Sequence, residues 1–353
     1  MKSPARFSSI LLMLPALACL LFVMPAAAQF SLRTTAKVMT YNVDEGTDFG
    51  AIIGVLTNTS STDFATAVQQ TVAEVENSDP AGRAQRLADE IAAAQPDLVG
   101  LQEVALWNIQ GLPIDMLQLI LARLAADGQN YTAVVTVPEF QINIAFPEVG
   151  FMDREVILAR ADEPSLTILR TGQGHYNAQI PLPAFPPYLP AGSITRGWGY
   201  VDARLNGVPF RFITTHLEDG TNPISLFALV QALQEIQLVY SPAFTLLPVI
   251  IGGDFNTVAN DPTSPTFLTY QFMLANGFTD AWSKTHGNAP GPTCCQEDLG
   301  SSNSELSQRI DLVFTRNRVS ALAAQRVGDQ PVNGFWPSDH AGLNTVEAIS
   351  RIF

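Results

Sequence analysis

Apolar residues along this chain fall into short blocks, and polar residues follow where the blocks end. Blocks of this kind, rich in Val, Ile, Leu and Phe and bounded by turn-forming residues, are typical of buried β-strands. The Asn206-Gly207 pair separates two such blocks and indicates a β-hairpin over 200–215. The predicted strands are residues 37–42, 98–101, 131–137, 156–159, 166–169, 199–205, 210–215, 249–252, 309–315 and 345–349.

Longer segments with an apolar residue at every third or fourth position predict amphipathic helices. They stand between the predicted strands, at 83–94, 115–126 and 224–240. Residues 47–79 show a mixed pattern, with helical stretches around 64–75, and we interpret this region as an insertion.

Residues 180–191 form an apolar segment that is rich in proline. Such a segment cannot be a central strand, because proline lacks the N–H group that pairs with a neighbouring strand. A surface loop packed on its own apolar side chains is the simplest interpretation. The alternative is a loop that touches a membrane or grips a substrate.

The N-terminal segment, residues 1–28, has the pattern of a secretory signal peptide. A basic start with Lys2 and Arg6 precedes an apolar run over 10–24, and small alanines follow up to Ala28. The pattern predicts cleavage after Ala28 and a secreted or periplasmic protein.

The remainder, residues 29–353, shows no internal repeat, charge block or low-complexity linker, which predicts one domain. It contains no stretch of the roughly 20 apolar residues that a membrane helix requires, so we expect no stable membrane insertion. Lipid anchoring through Cys19 is disfavoured, because the apolar run continues past this residue. The expected assembly is a monomer.

The charge balance narrows the range of partners. The formal net charge of −14 at pH 7 opposes non-specific binding to nucleic acid or anionic lipid through basic patches. A phosphate substrate is still allowed, because a bound divalent cation supplies positive charge locally. Cys294 and Cys295 are adjacent, so a vicinal disulfide and two free thiols are both open. Nothing nearby adds the ligands that a zinc site requires.

Polar side chains recur at the ends of the apolar blocks, and this repetition is the main functional signal. Acidic and amide groups are unfavourable to bury singly, so a set of them at strand ends predicts one polar pocket at the rim of a sheet. Their donors are nearly all carboxylate and amide oxygens, which suit Mg²⁺ or Ca²⁺ better than zinc. The set is Asn42, Glu103, His216, Asp254, Asn256, Asp311, Asp339 and His340.

In order and spacing, these residues resemble the endonuclease/exonuclease/phosphatase superfamily, which includes deoxyribonucleases, bacterial sphingomyelinases and inositol polyphosphate phosphatases. The resemblance covers nearly all of residues 29–353 and is weak at 47–79 and in the proline-rich segment. It implies an α/β fold of the α+β type, a four-layer α/β sandwich in which two packed, mostly antiparallel sheets are flanked by helices. The matching segments are Thr40-Tyr41-Asn42-Val43, Leu101-Gln102-Glu103-Val104, Thr214-Thr215-His216-Leu217-Glu218, Gly253-Asp254-Phe255-Asn256, Arg309-Ile310-Asp311-Leu312-Val313 and Ser338-Asp339-His340.

The resemblance also implies how the site binds metal and substrate. Asn42, Glu103 and Asp339 would bind the metal ion, with Mg²⁺ as the expected cofactor and Mn²⁺ or Ca²⁺ as alternatives. Asp254 and Asn256 would take part in catalysis by holding the phosphate and the attacking water, or a second cation.

Catalytic roles follow from the same resemblance. His340, oriented by Asp311, would act as general base or acid, and His216 would be its counterpart on the opposite side of the phosphorus. Asp153 matches an acidic partner of the first histidine in the deoxyribonuclease branch. Arg196 resembles a substrate-binding arginine, since a guanidinium group matches phosphate oxygens well.

The expected function is hydrolysis of a phosphodiester by metal-assisted in-line attack of water, with the two histidines in acid and base roles. The first interpretation is a secreted nuclease-type hydrolase, and the expected partner is a phosphate ester, either nucleic acid or a phospholipid headgroup. A sphingomyelinase-like phospholipase C, with Trp107 and the proline-rich segment as lipid contacts, is the second. A sugar or inositol phosphatase is the third interpretation, and a catalytically inactive binding module on the same scaffold is the fourth. His175 and His286 have no motif around them and are expected on solvated loops.

Overall fold

The apolar blocks of the sequence become the strands of two sheets in the structure, a computed structural model that describes residues 31–182, 184–186, 189–221 and 225–352. The predicted signal peptide lies outside these residues. The strands are β1 (Ser31–Asn42), β2 (Leu98–Gln102), β3 (Leu106–Ile109), β4 (Leu112–Asp115), β5 (Tyr131–Ala145), β6 (Glu148–Arg160), β7 (Leu166–His175), β8 (Ile180–Leu182), β9 (Gly192–Ile194), β10 (Gly197–Leu205), β11 (Val208–His216), β12 (Val249–Asp254), β13 (Thr279–Asp280), β14 (Asp311–Arg316), β15 (Val319–Val327) and β16 (Gly342–Ile352). The helices are α1 (Gly50–Leu56), α2 (Phe64–Asn77), α3 (Pro80–Ala94), α4 (Met116–Ala126), α5 (Ser225–Tyr240), α6 (Phe267–Ala275) and α7 (Ala281–His286).

The strands form two large mixed sheets. The first sheet has the order β15-β16-β1-β2-β6-β3-β4, with β5 paired to β6, and the second has the order β13-β14-β12-β11-β10-β7. Among the described strands, β1 runs parallel to β2 and β11 runs parallel to β12. The other pairs within these sheets are antiparallel. The prediction of two mostly antiparallel sheets is therefore confirmed.

The two sheets pack face to face through apolar side chains. Val38 and Ile157 of the first sheet lie in one buried cluster with Phe212 and Ile250 of the second sheet. Burial of such side chains between the sheets is the main contribution to the stability of a fold of this kind.

Helices cover the outer faces of both sheets. Leu87 of α3 and Ile120 of α4 pack with Val99 of β2 on the first sheet. Leu238 of α5 packs with Ile251 of β12 on the second. Strands β2 and β12 are buried on both faces, which explains why their sequences are continuous apolar blocks rather than alternating ones. The result is the predicted four-layer α/β sandwich.

The region interpreted as an insertion, residues 47–79, forms helices α1 and α2. Helix α2 begins after its N-cap Asp63, whose side chain accepts a hydrogen bond from Thr66 N. Apolar residues of both helices pack with Trp107 and Phe151 in a separate buried cluster. Trp107 is only 3% exposed, so its ring does not lie on the outer surface, where it could contact a membrane.

The proline-rich segment lies outside both large sheets. It carries the two-stranded ribbon of β8 and β9, which agrees with the prediction that it is not a central strand. Cys294 and Cys295 are disulfide-bonded, which is one of the two states that the sequence left open. Within the described part of the chain, none of the helices combines the length and the apolar character needed to cross a membrane.

The two histidines without motif context are exposed, as predicted, but neither lies on a loop. His175 is the last residue of β7 and pairs with Gly197 of β10. His286 is the last residue of α7, where its ring stacks on Trp282. Strand β7 and helix α7 therefore include residues for which the pattern of apolar positions predicts neither a strand nor a helix.

The two sheets approach each other closely beneath the ends of β2 and β11. A Cβ atom on Gly100 would lie 2.7 Å from Thr214 Oγ1, so a residue with a side chain does not fit there without movement. Gln102 Nε2 donates to the same hydroxyl at 2.8 Å. This contact joins the sheets just before Glu103 and His216 and so fixes the relative position of these two side chains.

Candidate active site

The polar residues predicted from the sequence meet at one edge of the paired sheets. Strands β1 and β2 run parallel and end at Asn42 and directly before Glu103. Strands β11 and β12 also run parallel, and their last residues, His216 and Asp254, are partners in register. Asp311 begins β14 opposite Asp254. Because parallel strands end at the same edge of a sheet, these side chains converge.

Asp339 and His340 reach the same edge on the loop before β16. The Ser338 hydroxyl donates to Asn42 O at 2.7 Å and accepts from His340 N at 3.1 Å. His340 Nδ1–H donates to Asp311 Oδ2 at 2.8 Å. The structure therefore pairs His340 with the carboxylate that the sequence assigned to it.

The carboxylates around His340 favour the protonated form of its ring. Burial lowers its pKa, but the carboxylates of Asp311 and Asp339 outweigh burial, and the pKa lies well above its usual value. Its Nε2 lies 3.9 Å from Asp254 Oδ2. An imidazolium N–H group therefore faces the site.

His216 has the opposite environment. Arg196 NH1 lies 2.9 Å from His216 Nδ1, so a guanidinium donor faces the ring. Burial, followed by Arg196 and His340, lowers the His216 pKa well below its usual value. The neutral form of the ring is therefore favoured, and its Nε2 lies 3.6 Å from Asp254 Oδ2 and 3.9 Å from Glu103 Oε1.

Asn256 stands beside His216 in a left-handed backbone conformation, with a φ of 49°. Its N–H donates to Asp254 Oδ1 at 2.8 Å, and its Nδ2 donates to Leu217 O at 2.9 Å. Nδ2 also lies 3.1 Å from His216 Nε2. These contacts fix the amide at the position where the sequence predicts a phosphate-holding group.

Three carboxylates of the site lie close together; Asp254 is buried, whereas the side chains of Glu103 and Asp339 are 21% and 33% exposed. Burial, followed by Asp339 and Asp153, raises the pKa of Glu103 to about 8. Burial and the neighbouring Asp311 raise the pKa of Asp254 to about 7. Burial also raises the pKa of Asp339 to about 6. Repulsion between such neighbouring carboxylates is relieved when a divalent cation binds among them.

The donor set fits a hard divalent cation. Asn42, Glu103 and Asp339, the predicted ligands, all lie at this edge and offer oxygen atoms. Asp254 lies among them, and its Oδ2 accepts from Asn42 Nδ2 at 3.1 Å. Glu103 has a φ of 56°, an unfavourable conformation for this residue type that is found most often at functional sites.

A second group of buried carboxylates surrounds Arg196; sequence reasoning identified Asp153 of this group but missed Glu139 and Glu155. Glu139 Oε2 lies 3.9 Å and Asp153 Oδ2 3.4 Å from Arg196 NH1. Burial, followed by Glu155 and Asp153, raises the pKa of Glu139 well above its usual value. The alternation of Asp153 and Glu155 within apolar β6 is the signal that could have revealed the group, because such residues face the same side of a strand.

The structure changes the predicted relation between Asp153 and His216. The sequence predicts a direct acidic partner for this histidine, but Arg196 occupies that position and bridges the two groups. Asp153 therefore acts on the imidazole through Arg196. The sequence-based role of Arg196 in binding phosphate stays a prediction, since its NH1 contacts both Asp153 and His216.

Replacing Arg196 by methionine is expected to lower the free energy of unfolding by about 3–5 kcal/mol at pH 8, because it leaves Glu139 and Asp153 buried without a counter-charge. The loss should shrink as the pH falls toward 5, because carboxyl groups with a raised pKa take up protons in the folded chain. Denaturant unfolding at several pH values measures the effect. Arg204→Met, at an exposed arginine of β10, is the matched control and should leave stability unchanged. An equal loss at both pH values contradicts this account.

Comparisons with known proteins agree with this fold. The Endonuclease/Exonuclease/phosphatase family profile matches residues 39–340. An endonuclease/exonuclease/phosphatase family protein from Bacteroides thetaiotaomicron is 15% identical, over 90% of this chain and 99% of its own, with a TM-score of 0.55. An endonuclease/exonuclease/phosphatase from Beutenbergia cavernae is 20% identical, over 89% and 72%, with a TM-score of 0.55. The mannosyl-6-phosphatase Bt3783 of Bacteroides thetaiotaomicron is 16% identical, over 89% and 99%, with a TM-score of 0.51. No curated protein matches this chain.

The fold and the site together define a hydrolase that acts on phosphate esters. The chain belongs to the endonuclease/exonuclease/phosphatase family, because the family profile spans most of its length. The resemblance drawn from six short sequence segments is thereby confirmed, and the solved structures show the same fold.

Proposed function

We propose that this chain is a secreted, Mg²⁺-dependent phosphodiesterase that hydrolyses its substrate by in-line attack of water. The observation that carries the proposal is the pair of dissimilar imidazoles at one edge of the sheets. Protonated His340 is bonded to Asp311 at 2.8 Å, and neutral His216 is bonded to Arg196 at 2.9 Å. Proton delivery and charge stabilisation around a phosphorus atom require groups of these two kinds.

Each group at this edge has a chemical task. A divalent cation held by Asn42, Glu103 and Asp339 supplies positive charge to the phosphate oxygens when it is bound. Asp254, with a pKa of about 7, accepts the proton that the attacking water loses. His340 donates its Nε2 proton to the departing oxygen. One P–O bond forms to the water oxygen, and the P–O bond to the departing alcohol breaks.

His216 has a positioning task in this scheme. The ring lies between the guanidinium group of Arg196 at 2.9 Å and the side-chain amide of Asn256 at 3.1 Å. These two neighbours hold the imidazole in place beside Asp254, where the phosphate is expected to bind.

The activity should depend on pH through His340. Asp311 raises the pKa of His340 against the effect of burial, so Asp311→Asn is expected to lower that pKa. Because His340 must be protonated to donate, the alkaline limb of kcat/KM against pH should move to lower pH in this variant. Rate profiles from pH 5 to 10 measure the shift. If the alkaline limb does not move, the ionisation that it reports belongs to a group other than His340.

The charges beside the site favour a small phosphodiester over a long nucleic acid. Nucleic acids gain much of their affinity from lysine and arginine side chains that are free to neutralise phosphates. The guanidinium groups of Arg83 and Arg196 are instead paired with Asp44 and Asp153, and the chain carries a net charge of −14. We therefore place small phosphodiesters ahead of the nuclease substrate that the sequence favoured.

Hydrolysis of bis-p-nitrophenyl phosphate by the purified protein tests this function. We expect hydrolysis with Mg²⁺, hydrolysis at a different rate with Mn²⁺ or Ca²⁺, and no hydrolysis with EDTA. Plasmid DNA in parallel reactions should be cut slowly or not at all. Turnover that persists in EDTA contradicts metal dependence, and the absence of turnover with every cation contradicts the phosphodiesterase.

Export is part of the same proposal and rests on the signal-peptide pattern of residues 1–28. When the full chain is expressed in a bacterial host, the exported product should begin at Gln29. Intact-mass measurement of that product tests the cleavage site. A full-length product that stays inside the cell contradicts export.

A further inference from the structure

An apolar pocket of about 280 Å³ lies beside the candidate active site. Its walls come from helices α1 and α2, strand β3, the hairpin of β5 and β6, and the proline-rich segment. Residues that form the walls include Phe49, Ile52, Val72, Trp107, Ile142 and Leu189.

Parts of the chain where the family resemblance is weak build much of this pocket. Helices α1 and α2 come from residues 47–79, and Leu182 and Leu189 come from the proline-rich segment. The two regions are distant in sequence but touch through Phe64 and Phe185, whose ring centroids are 5.3 Å apart. The pocket is therefore built largely from segments outside the central sheets, which are the parts of a scaffold that commonly set specificity.

One end of the pocket is polar and adjoins the catalytic residues. Glu45, Asp153 and Arg196 line this end. Because Arg196 NH1 is 2.9 Å from His216 Nδ1, this polar end is in direct contact with a histidine of the candidate active site. The Thr71 hydroxyl also lines the pocket, although it is buried and has no hydrogen-bond partner. The pocket thus combines a continuous apolar wall with a polar end at the site of reaction.

We infer that this pocket binds an apolar ester group of the substrate, so that the chain prefers phosphate esters carrying an alkyl or aryl group of about ten carbon atoms. An apolar cavity of about 150 Å³ holds benzene, so a pocket of nearly twice that volume holds a group of roughly this size. The apolar wall excludes a charged or sugar group, because burial without hydrogen bonds is unfavourable for such groups. The inference rests on the proposed function, which supplies the phosphate at the pocket entrance.

Binding of n-alkyl phosphates from ethyl to decyl, measured by isothermal titration calorimetry with Mg²⁺ present, tests the inference. The concentrations must stay below those at which the longer esters form micelles. Each added methylene is expected to lower Kd by about three- to fourfold until the pocket is full. A Kd that stays constant from ethyl to octyl phosphate overturns the inference.

Variants of the pocket separate binding in the cavity from adsorption elsewhere. Val72→Phe fills the pocket and should reduce the ratio of octyl to ethyl affinity by about tenfold or more. Ile53→Trp acts at the rim, where Ile53 is 50% exposed, and tests the same ratio without disturbing a buried position. Leu229→Phe, on the exposed face of α5, is the matched control and should keep the wild-type ratio. An unchanged ratio in both pocket variants overturns the inference.

Turnover of bis-p-nitrophenyl phosphate by the same preparations distinguishes this inference from the proposed function. Affinity that rises with chain length, without hydrolysis of any ester, supports the pocket and rejects the phosphodiesterase. Hydrolysis combined with affinity that ignores chain length rejects the pocket and leaves the phosphodiesterase intact.

Discussion

Replacement of His340 by alanine is expected to lower kcat toward an alkyl phosphodiester by about 10²- to 10⁴-fold. His340, held by Asp311 at 2.8 Å, is the group assigned to protonate the departing oxygen, and alanine has no proton to give. The loss should be smaller for bis-p-nitrophenyl phosphate, because p-nitrophenolate departs without needing a proton. Steady-state kinetics with both substrates at saturating Mg²⁺ measure the difference.

The matched control for this variant is His286→Ala. His286 is exposed at the end of α7 and stacks on Trp282, so its loss should leave kcat unchanged for both substrates. If His340→Ala slows both substrates equally, its role is to position other groups rather than to donate a proton. Thermal unfolding of the variant checks that the fold is retained.

Much of the fold follows from the sequence because the central strands are buried on both faces. Strand β12 illustrates this, since each of its residues from Val249 to Asp254 is buried and the apolar block marks it directly. The convergence of the strand ends could also be predicted from the sequence, because parallel pairs such as β11 and β12 bring His216 and Asp254 to one edge. Residues that cap helices, in contrast, were not used to place the ends of the predicted helices. Helix α3 begins at Pro80, after the N-cap Asp79, earlier than the apolar repeat indicates.

The electrostatic environment of the site could not be derived from the sequence. The low pKa of His216 arises from burial and from Arg196, the residue directly before β10. Arg196 in turn is surrounded by Glu139 of β5 and Asp153 of β6. These contacts form only when the hairpin of β5 and β6, in the first sheet, packs against the second sheet near the start of β10. The apolar periodicity of a single segment contains no information about such a meeting.

The same limit applies to the pocket beside the site. The sequence shows an insertion at 47–79 and a proline-rich segment at 180–191, but it does not show that they lie side by side. Packing of Phe64 on Phe185 brings them together. The two segments with the weakest sequence resemblance to the family are therefore the ones that shape the surroundings of the candidate active site.

Glu103→Gln is expected to abolish metal-dependent hydrolysis, with a fall in kcat/KM of about 10³-fold or more, while stabilising the metal-free fold. Glutamine keeps the shape of the side chain but removes the charge that the divalent cation requires. Burial and neighbouring carboxylates raise the pKa of Glu103 to about 8, so the folded chain loses stability as the pH rises from about 4 toward 8. Glutamine does not titrate, and the variant should therefore escape this loss.

In EDTA at pH 8, Glu103→Gln should raise Tm by roughly 2–4 °C, and at pH 4 the two proteins should unfold at the same temperature. Glu76→Gln, on the exposed face of α2, is the control and should change neither activity nor Tm. In wild type, Mg²⁺ should raise Tm because it binds only the folded chain, and this increase should be absent in Glu103→Gln. A variant that loses activity but keeps the Mg²⁺-dependent increase would show that Glu103 acts on the substrate rather than on the metal. Loss of both, with a gain in metal-free stability, identifies Glu103 as a residue whose unfavourable position among other carboxylates is maintained by its function.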